Sequence, residues 1–262
     1  MISNLLYKEI RLAAHPNLFV FTLMGPLVLI PGYPYTMVFL FSLIGNFVNL
    51  MYTRETNDIY YSTLLPLKKA EVVLGKWLVL LVSQLLTILI SIPFAFLRLQ
   101  LFSQPNPVGI EANTAFYGFG LIIFACFNLI FLTTYFKTGY KVGASFLKGL
   151  FPATLLAIIL EVIVHFPALK WLDSVTFNGQ MQQLPILAAG ILIYIVAMWA
   201  AYKISVQRFT QVNLWLNLIL AEQKNVLIKK LIKTFFIFRN RLSKKGPRRS
   251  LLLQQIPYAS TF

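Results

Sequence analysis

Long stretches without charge constrain what this 262-residue chain can fold into more than any other feature. Residues 12–53, 77–97, 112–136 and 174–202 contain no Lys, Arg, Asp or Glu. Only 12% of the residues are charged, about half the usual fraction of a soluble domain, and 58% are hydrophobic. A helix that crosses a hydrocarbon core of ~30 Å needs about 20 apolar residues. The pattern predicts an all-α integral membrane protein.

The spacing of these stretches predicts six transmembrane helices. The interval 12–53 is too long for one crossing, and Pro31-Gly32-Tyr33-Pro34 in its middle cannot continue a helix, so we expect a tight helical hairpin. Each of the three remaining intervals has room for one crossing, and residues 149–168, which contain Glu161 as their one charged residue, have room for another. The four further spans are expected over residues 77–97, 112–136, 149–168 and, from Leu184 onward, 184–202.

The distribution of basic residues predicts the orientation. If the N-terminus is cytoplasmic, the inner segments contain 21 of the 23 Lys and Arg residues, and the outer segments contain only Arg98 and Lys170. Basic residues are retained on the cytoplasmic side of a membrane. Both termini are therefore expected in the cytoplasm.

Three regions follow from this layout. Residues 1–16 are expected to form an interfacial N-terminal helix, and residues 17–210 the six-helix transmembrane domain. The tail, residues 211–262, contains ten basic residues and one acid, interleaved with leucine, isoleucine and phenylalanine. This composition indicates a basic amphipathic helix on an anionic inner leaflet. It is too apolar for a solvated nucleic-acid-binding arm, so no nucleic-acid partner is expected.

The first inner segment is polar for one turn and then amphipathic. Arg54, Glu55 and Asp58 supply charge, Leu64 and Leu65 supply apolar contacts, and Pro66 follows. Such a segment is either a solvated loop with a few interfacial leucines or a short helix that docks a soluble partner. Composition alone favours the loop.

Three motifs carry a family resemblance. Residues 55–76 contain an acid, Asn57-Asp58, a Leu-Pro turn and Gly75-Lys76. Residues 135–141 read aromatic–aromatic–Lys–Thr–Gly–aromatic–Lys, and residues 203–209 close the sixth predicted helix. In this order they resemble ABC-transporter permeases of the type-2 exporter class, and in particular small bacterial six-helix permease subunits.

The resemblance implies a multi-pass protein of the bacterial cytoplasmic membrane that exports a substrate outward. Two permease subunits, identical or different, would associate and use a separate cytoplasmic ABC ATPase, which would hold the ATP and Mg. It also implies a coupling element for the ATPase within residues 54–65. Its residues would be Arg54, Glu55, Thr56, Asn57, Asp58, Leu64 and Leu65.

The sequence predicts no cofactor, metal or catalytic site within this chain. A phosphate-cradling loop needs Gly, four residues and then Gly-Lys-Ser/Thr. The nearest approach is Gly75-Lys76, with Ala70 and Trp77 at the other two required positions. With one cysteine and two histidines, no residues have metal-ligand spacing. The energy source is expected to be another subunit or an ion gradient.

One acid interrupts the fifth predicted span. Glu161 and His165 are four residues apart and therefore share a helix face. An acid in a span usually faces protein or water. Glu161 either lines a transport pathway or has a structural partner, and the sequence does not distinguish between these two roles. Arg98, at the outer end of the third span, could be the counter-charge of Glu161, but a snorkelling anchor is the favoured expectation.

Two alternatives to the ATP-driven exporter remain open. One is a gradient-driven secondary transporter, which usually pairs acids or broken helices between two halves near the midplane. The first three spans contain no ionisable residue that matches Glu161, which favours the exporter. The other is a membrane anchor protein that transports nothing.

Overall fold

A computed structural model describes residues 2–64, 67–102, 104–138 and 141–212 of the chain. Leu65 and nearly all of the predicted tail lie outside the described residues. Within those ranges every regular element is helical. The α-helices are α1 (Ile2–Tyr7), α2 (Pro16–Thr22), α3 (Met37–Glu55), α4 (Asp58–Leu64), α5 (Lys69–Leu101), α6 (Thr114–Thr138), α7 (Val142–Ile163) and α8 (Phe177–Thr210). A π-helical turn (Lys8–Leu12) follows α1, and 3-10 segments cover Gly25–Leu29 and Pro167–Asp173.

Five of the described helices, α3 and α5–α8, are long and apolar enough to cross a membrane. The pair Asn4–Leu12 and Pro16–Leu29 also meets this criterion, but it is bent by 99°. The described residues thus contain five continuous candidate spans, and six when the bent pair is counted as one. The prediction of several helices that are apolar and long enough to cross a membrane is confirmed, and the first of them differs from the expected form.

The first arm of the predicted hairpin is not one continuous helix. Residues 16–29 include α2 and a 3-10 segment, separated around Leu23. Pro26 has no N–H to donate and lies in the first turn of the 3-10 segment, so the α-helix does not run through it. At 1.5 Å per residue these 14 residues would extend about 21 Å as a helix, less than the ~30 Å core.

Helix α5 is longer than the charge-free interval that predicted it. It extends over 33 residues and includes Lys76 near one end and Arg98 near the other. Both side chains are almost fully buried, with exposed fractions of 0% and 2%. The sequence placed the ends of this span at the charges, whereas the helix continues through them because partners within the protein neutralise them.

Helix α6 is the centre of the bundle and packs against α8, α7 and α3. Two glycines allow the closest approach, because Gly118 of α6 faces Gly190 of α8 without side chains between the backbones. On another face of α6, the Phe39 ring of α3 occupies the space beside Gly120.

Polar side chains inside the bundle are paired between helices. Gln84 of α5 and Asn128 of α6 exchange two amide hydrogen bonds, at 2.9 and 2.7 Å. The Tyr194 hydroxyl of α8 donates to the Gln84 Oε1 atom at 3.0 Å. Asn46 of α3 and Ser83 of α5 form a second pair. Hydrogen bonds of this kind hold membrane helices together where the hydrophobic effect does not.

Candidate functional site

The turn between α3 and α4 exposes four consecutive residues of the predicted coupling element. Arg54 and Glu55 end α3, and Thr56 and Asn57 form the turn. Asn57 has a φ of 53°, a left-handed conformation that asparagine tolerates better than most residues. The Asn57 N–H donates to the Arg54 carbonyl, which closes the turn. We call residues 54–57 the exposed turn.

The rest of the predicted element is partly withdrawn from solvent. Helix α4 is seven residues long, and Leu64 at its end is 58% exposed. Ile59 is buried. Asp58, the first residue of α4, is held by two lysines, so its carboxylate faces the protein and not an open surface.

Four charged side chains behind the exposed turn form a closed ring. The Lys76 ammonium lies 2.6 Å from Glu9 Oε2 and 2.6 Å from Asp58 Oδ2. The Lys8 ammonium lies 3.1 Å from Glu9 Oε1 and 2.9 Å from Asp58 Oδ1. Each of the four carboxylate oxygens therefore has one ammonium partner. We call Lys8, Glu9, Asp58 and Lys76 the charge ring.

Three parts of the chain supply the charge ring. Lys8 and Glu9 come from the π-helical turn after α1, Asp58 from α4 and Lys76 from α5. Gly75 makes the approach of α5 possible, because a Cβ at this position would lie 3.1 Å from Glu9 Cγ and Oε1. The ring therefore joins the N-terminal segment and α4 to the same helix.

Charge and burial determine the protonation of Asp58. Burial alone would raise the pKa of this carboxyl, but the Lys76 and Lys8 ammonium groups together hold its pKa below the usual value. Asp58 is therefore ionised at neutral pH, and the four formal charges of the ring cancel. A neutral, fully paired cluster is suited to holding helices in fixed relative positions.

A second charged cluster lies between the hairpin turn and the loop that follows α5. Arg98 donates from Nε to the Tyr35 hydroxyl at 2.7 Å and from Nη2 to the Gln104 carbonyl at 3.0 Å. Its Nη2 atom is also 3.5 Å from Glu111 Oε1. The predicted snorkelling anchor is thus wrong: Arg98 is buried because this loop folds over it and supplies acceptors.

Glu161 joins three elements in the same region as this second cluster. Its Oε1 atom accepts from the Thr36 N–H at 3.0 Å and from the Thr36 hydroxyl at 2.7 Å, and its Oε2 atom accepts from the Ile110 N–H at 3.1 Å. His165 is exposed, and its Nδ1 atom lies 3.0 Å from the Glu161 backbone carbonyl. The carboxylate thus connects α7 to the start of α3 and to the loop after α5.

Burial perturbs the other acids of this cluster. It raises the pKa of the Glu111 carboxyl above its usual value, although the Asn106 N–H and Arg98 oppose this shift. Burial also raises the pKa of Asp173, which accepts a hydrogen bond from the Glu111 N–H. Within the described residues, Glu111 Oε2 is buried and has no hydrogen-bond partner.

No cofactor site is evident in the described part of the chain. No group of three or more His, Cys, Asp or Glu residues there is arranged to hold a metal ion. Gly75-Lys76, the nearest approach to a phosphate-binding loop, lies inside α5, and the Lys76 ammonium is already paired with two carboxylates.

Comparison with known families identifies the fold as that of a transporter membrane domain. The model of the family described as ABC-2 family transporter protein matches residues 4–210. The chain belongs to the ABC-2 transporter family. The matched residues of this ABC-2 protein extend from α1 to the last residue of α8. Comparison with curated proteins and with solved structures gave no significant match.

The sequence identified some residues of this ABC-2 protein and missed others. It singled out the exposed turn and Glu161, and the structure places them in separate regions, each with a charged cluster. It missed Glu9 and Lys76 as partners, which lie 67 residues apart in the chain. The one signal in the sequence that could have indicated this pair is Glu9 itself, an acid in an otherwise apolar and basic N-terminal segment.

Proposed function

We propose that this chain is the membrane-spanning permease subunit of an ATP-driven exporter and that the exposed turn receives the movement of a separate cytoplasmic ATPase. The observation that carries the proposal is a charged turn of an ABC-2 family protein, exposed at residues 54–57 and backed by a buried charge ring. Exposure provides a docking surface, and the ring provides a rigid connection to the spans.

Coupling requires an element whose position differs between two states of the partner. Helix α4 is suited to this because Asp58 at its first residue is bound to α5 through Lys76, and Ile59 packs into the protein. Arg54 and Glu55 remain exposed and offer one charge of each sign to the ATPase. In this proposal Asp58 stabilises the element, while Arg54 and Glu55 make the contacts.

The distribution of basic residues supports a cytoplasmic location for this turn. The turn lies on the side that would contain 21 of 23 Lys and Arg residues, together with both termini. A position in the bacterial cytoplasmic membrane and outward transport follow from the proposed exporter class.

ATP and Mg would be bound by the partner ATPase. The buried and paired Lys76 is unavailable to a phosphate group, which supports this division of labour. Transport by a gradient-driven carrier, in contrast, would not depend on a nucleotide-binding subunit.

The proposed transporter contains a second permease subunit, either an identical copy or a related chain. Apolar side chains on α7 and α8, such as Phe151 and Trp199, are 75% and 62% exposed, and they would contact lipid or that second subunit. Residues 211–262 would bind the anionic inner leaflet through their ten basic side chains.

The test is ATP hydrolysis by the ATPase that copurifies with the chain, reconstituted with it in lipid. The double substitution Arg54→Ala and Glu55→Ala removes both exposed charges. We expect about tenfold weaker binding of the ATPase, the effect of losing roughly 1.4 kcal/mol at an interface, and a matching loss of permease-dependent ATP hydrolysis.

The matched control replaces two exposed polar residues near the opposite end of the protein, Lys170→Ala with Gln182→Ala. It is expected to bind and stimulate the ATPase like the unaltered chain. If no ATPase copurifies with the unaltered chain, or if the charge variant stimulates hydrolysis as strongly as the control, the proposal is wrong.

A further inference from the structure

We infer that the charge ring transmits movement from α4 to the N-terminal segment, so that residues 4–12 move during the transport cycle. In this inference Glu9 and Lys76 are positioning residues, which act through the elements they connect. It rests on the proposed function, because the ATPase supplies the movement of α4.

Burial makes the connection through Lys76 rigid. The ammonium group is fully buried and lies 2.6 Å from one carboxylate on each side. If α4 moved away without Glu9 and Lys76, a charge would be left buried with fewer partners, which is strongly unfavourable. Movement of all three groups together keeps the ion pairs intact.

Lys8 provides a second connection between the same two elements. It binds the remaining oxygens of Glu9 and Asp58 and donates to the Ser62 hydroxyl at 2.6 Å, one helical turn further along α4. The N-terminal segment is therefore attached to α4 through two side chains, directly through Lys8 and through the Glu9–Lys76–Asp58 ion pairs.

The chain that follows the N-terminal segment is attached elsewhere. The backbone N–H of His15, in the break between Leu12 and Pro16 where the chain bends by 99°, donates to Asn49 Oδ1 of α3 at 2.9 Å. Movement applied at Lys8 and Glu9 would therefore change the angle at this bend, because His15 stays with α3. Helix α2, which follows the bend, packs against α3 and α5.

The experiment measures two distances by nitroxide labelling in the reconstituted permease–ATPase complex. Cys126, the only cysteine, is first replaced by serine. One label pair, Tyr61→Cys with Lys137→Cys, measures the distance from α4 to the end of α6. The other pair, Leu12→Cys with Lys137→Cys, measures the distance from the N-terminal segment to the same point. All three labelled positions are exposed. Each distance is compared between the nucleotide-free and the ATP–vanadate state.

Two variants weaken the connection while leaving Lys76 paired. Lys8→Met combined with Glu9→Gln removes the contacts of both side chains and leaves Asp58 bound to Lys76, whereas Gly75→Ala keeps every charge but displaces the Glu9 side chain sterically. In both variants the α4 distance is expected to change as in the unaltered protein. The change at Leu12 is expected to fall below half in the double variant and by a smaller amount in Gly75→Ala, which keeps the Lys8 contacts. Gly143→Ala, which meets no atom within 4 Å, is the control.

The outcomes separate this inference from the proposed function. If the α4 distance does not change with nucleotide in the unaltered protein, the proposed coupling itself fails. If α4 moves but Leu12 does not, or if Leu12 moves equally in the Lys8→Met, Glu9→Gln double variant and in Gly143→Ala, the inference is overturned and the proposed coupling stands.

Discussion

Gly118 of α6 and Gly190 of α8 face each other so closely that a Cβ atom on Gly190 would overlap the Gly118 carbonyl oxygen. Backbone contact of this kind is common between membrane helices that have small residues at their interface. The reciprocal position is also too close for a side chain, because a Cβ on Gly118 would lie 2.8 Å from the Ile186 carbonyl oxygen. The largest helix interface of the bundle therefore depends on two glycines.

We expect Gly190→Ala to destabilise the protein by about 1–3 kcal/mol, because the added methyl group must separate α6 from α8. Thermal unfolding in detergent micelles measures this effect. Gly143→Ala is the control, since its Cβ would enter open space in α7, and it is expected to be neutral or slightly stabilising. Equal stability of the two variants would contradict the predicted contact.

Arg98→Gln is expected to cost about 3–5 kcal/mol, the usual effect of removing one partner from a buried ion pair. The variant leaves Glu111 without its cation and leaves the Tyr35 hydroxyl without its donor. Limited proteolysis of the loop after α5 should accelerate as well. Lys170→Gln removes an exposed basic residue and should change neither measurement.

Glu161→Gln distinguishes a structural acid from one that lines a transport pathway. The amide offers one acceptor where the carboxylate provides two, so either Thr36 or Ile110 loses its bond, at a cost of about 1–3 kcal/mol. If Glu161 is structural, the variant loses stability but keeps its coupled ATP hydrolysis. Loss of coupling at unchanged stability would instead support the pathway. His165→Ala, at an exposed side chain, should alter neither property.

Glu111 predicts a pH dependence of stability. Burial raises the pKa of its carboxyl above 4.5, so the folded state binds the proton more tightly than the unfolded state does. The free energy of unfolding should then decrease as the pH rises from about 4.5 through the folded-state pKa. We expect Glu111→Gln to reduce this slope, as followed by thermal unfolding across that range.

Two other carboxyl groups with shifted pKa values also contribute to the pH dependence of stability. The raised pKa of Asp173 acts in the same direction, so part of the slope should remain in the variant. The lowered pKa of Asp58 acts in the opposite direction and only below about pH 3.8, where stability is lost as the pH falls through the folded-state pKa. An identical slope in Glu111→Gln and the unaltered protein would contradict a raised pKa at Glu111.

The apolar pattern could predict the long helices but not their ends. The intervals between charges located α3, α6, α7 and α8 because each lipid-facing turn must be apolar. For α5 the interval predicted a span that is too short, because charged residues usually mark the ends of a transmembrane helix. Lys76 and Arg98 instead lie inside the helix, where their partners come from distant parts of the chain.

The sequence by itself determined the all-α membrane class, the positions of the apolar helices and the charged residues at 54–58. These follow from local composition, because lipid selects apolar residues turn by turn. Only the tertiary structure decided the charge ring, the burial of Arg98 and the bonds of Glu161. Each includes a pair of residues far apart in the chain, 67 positions for Glu9 and Lys76, 13 for Arg98 and Glu111, and 125 for Thr36 and Glu161. Such pairs are fixed by how the helices pack and not by the composition of any one segment.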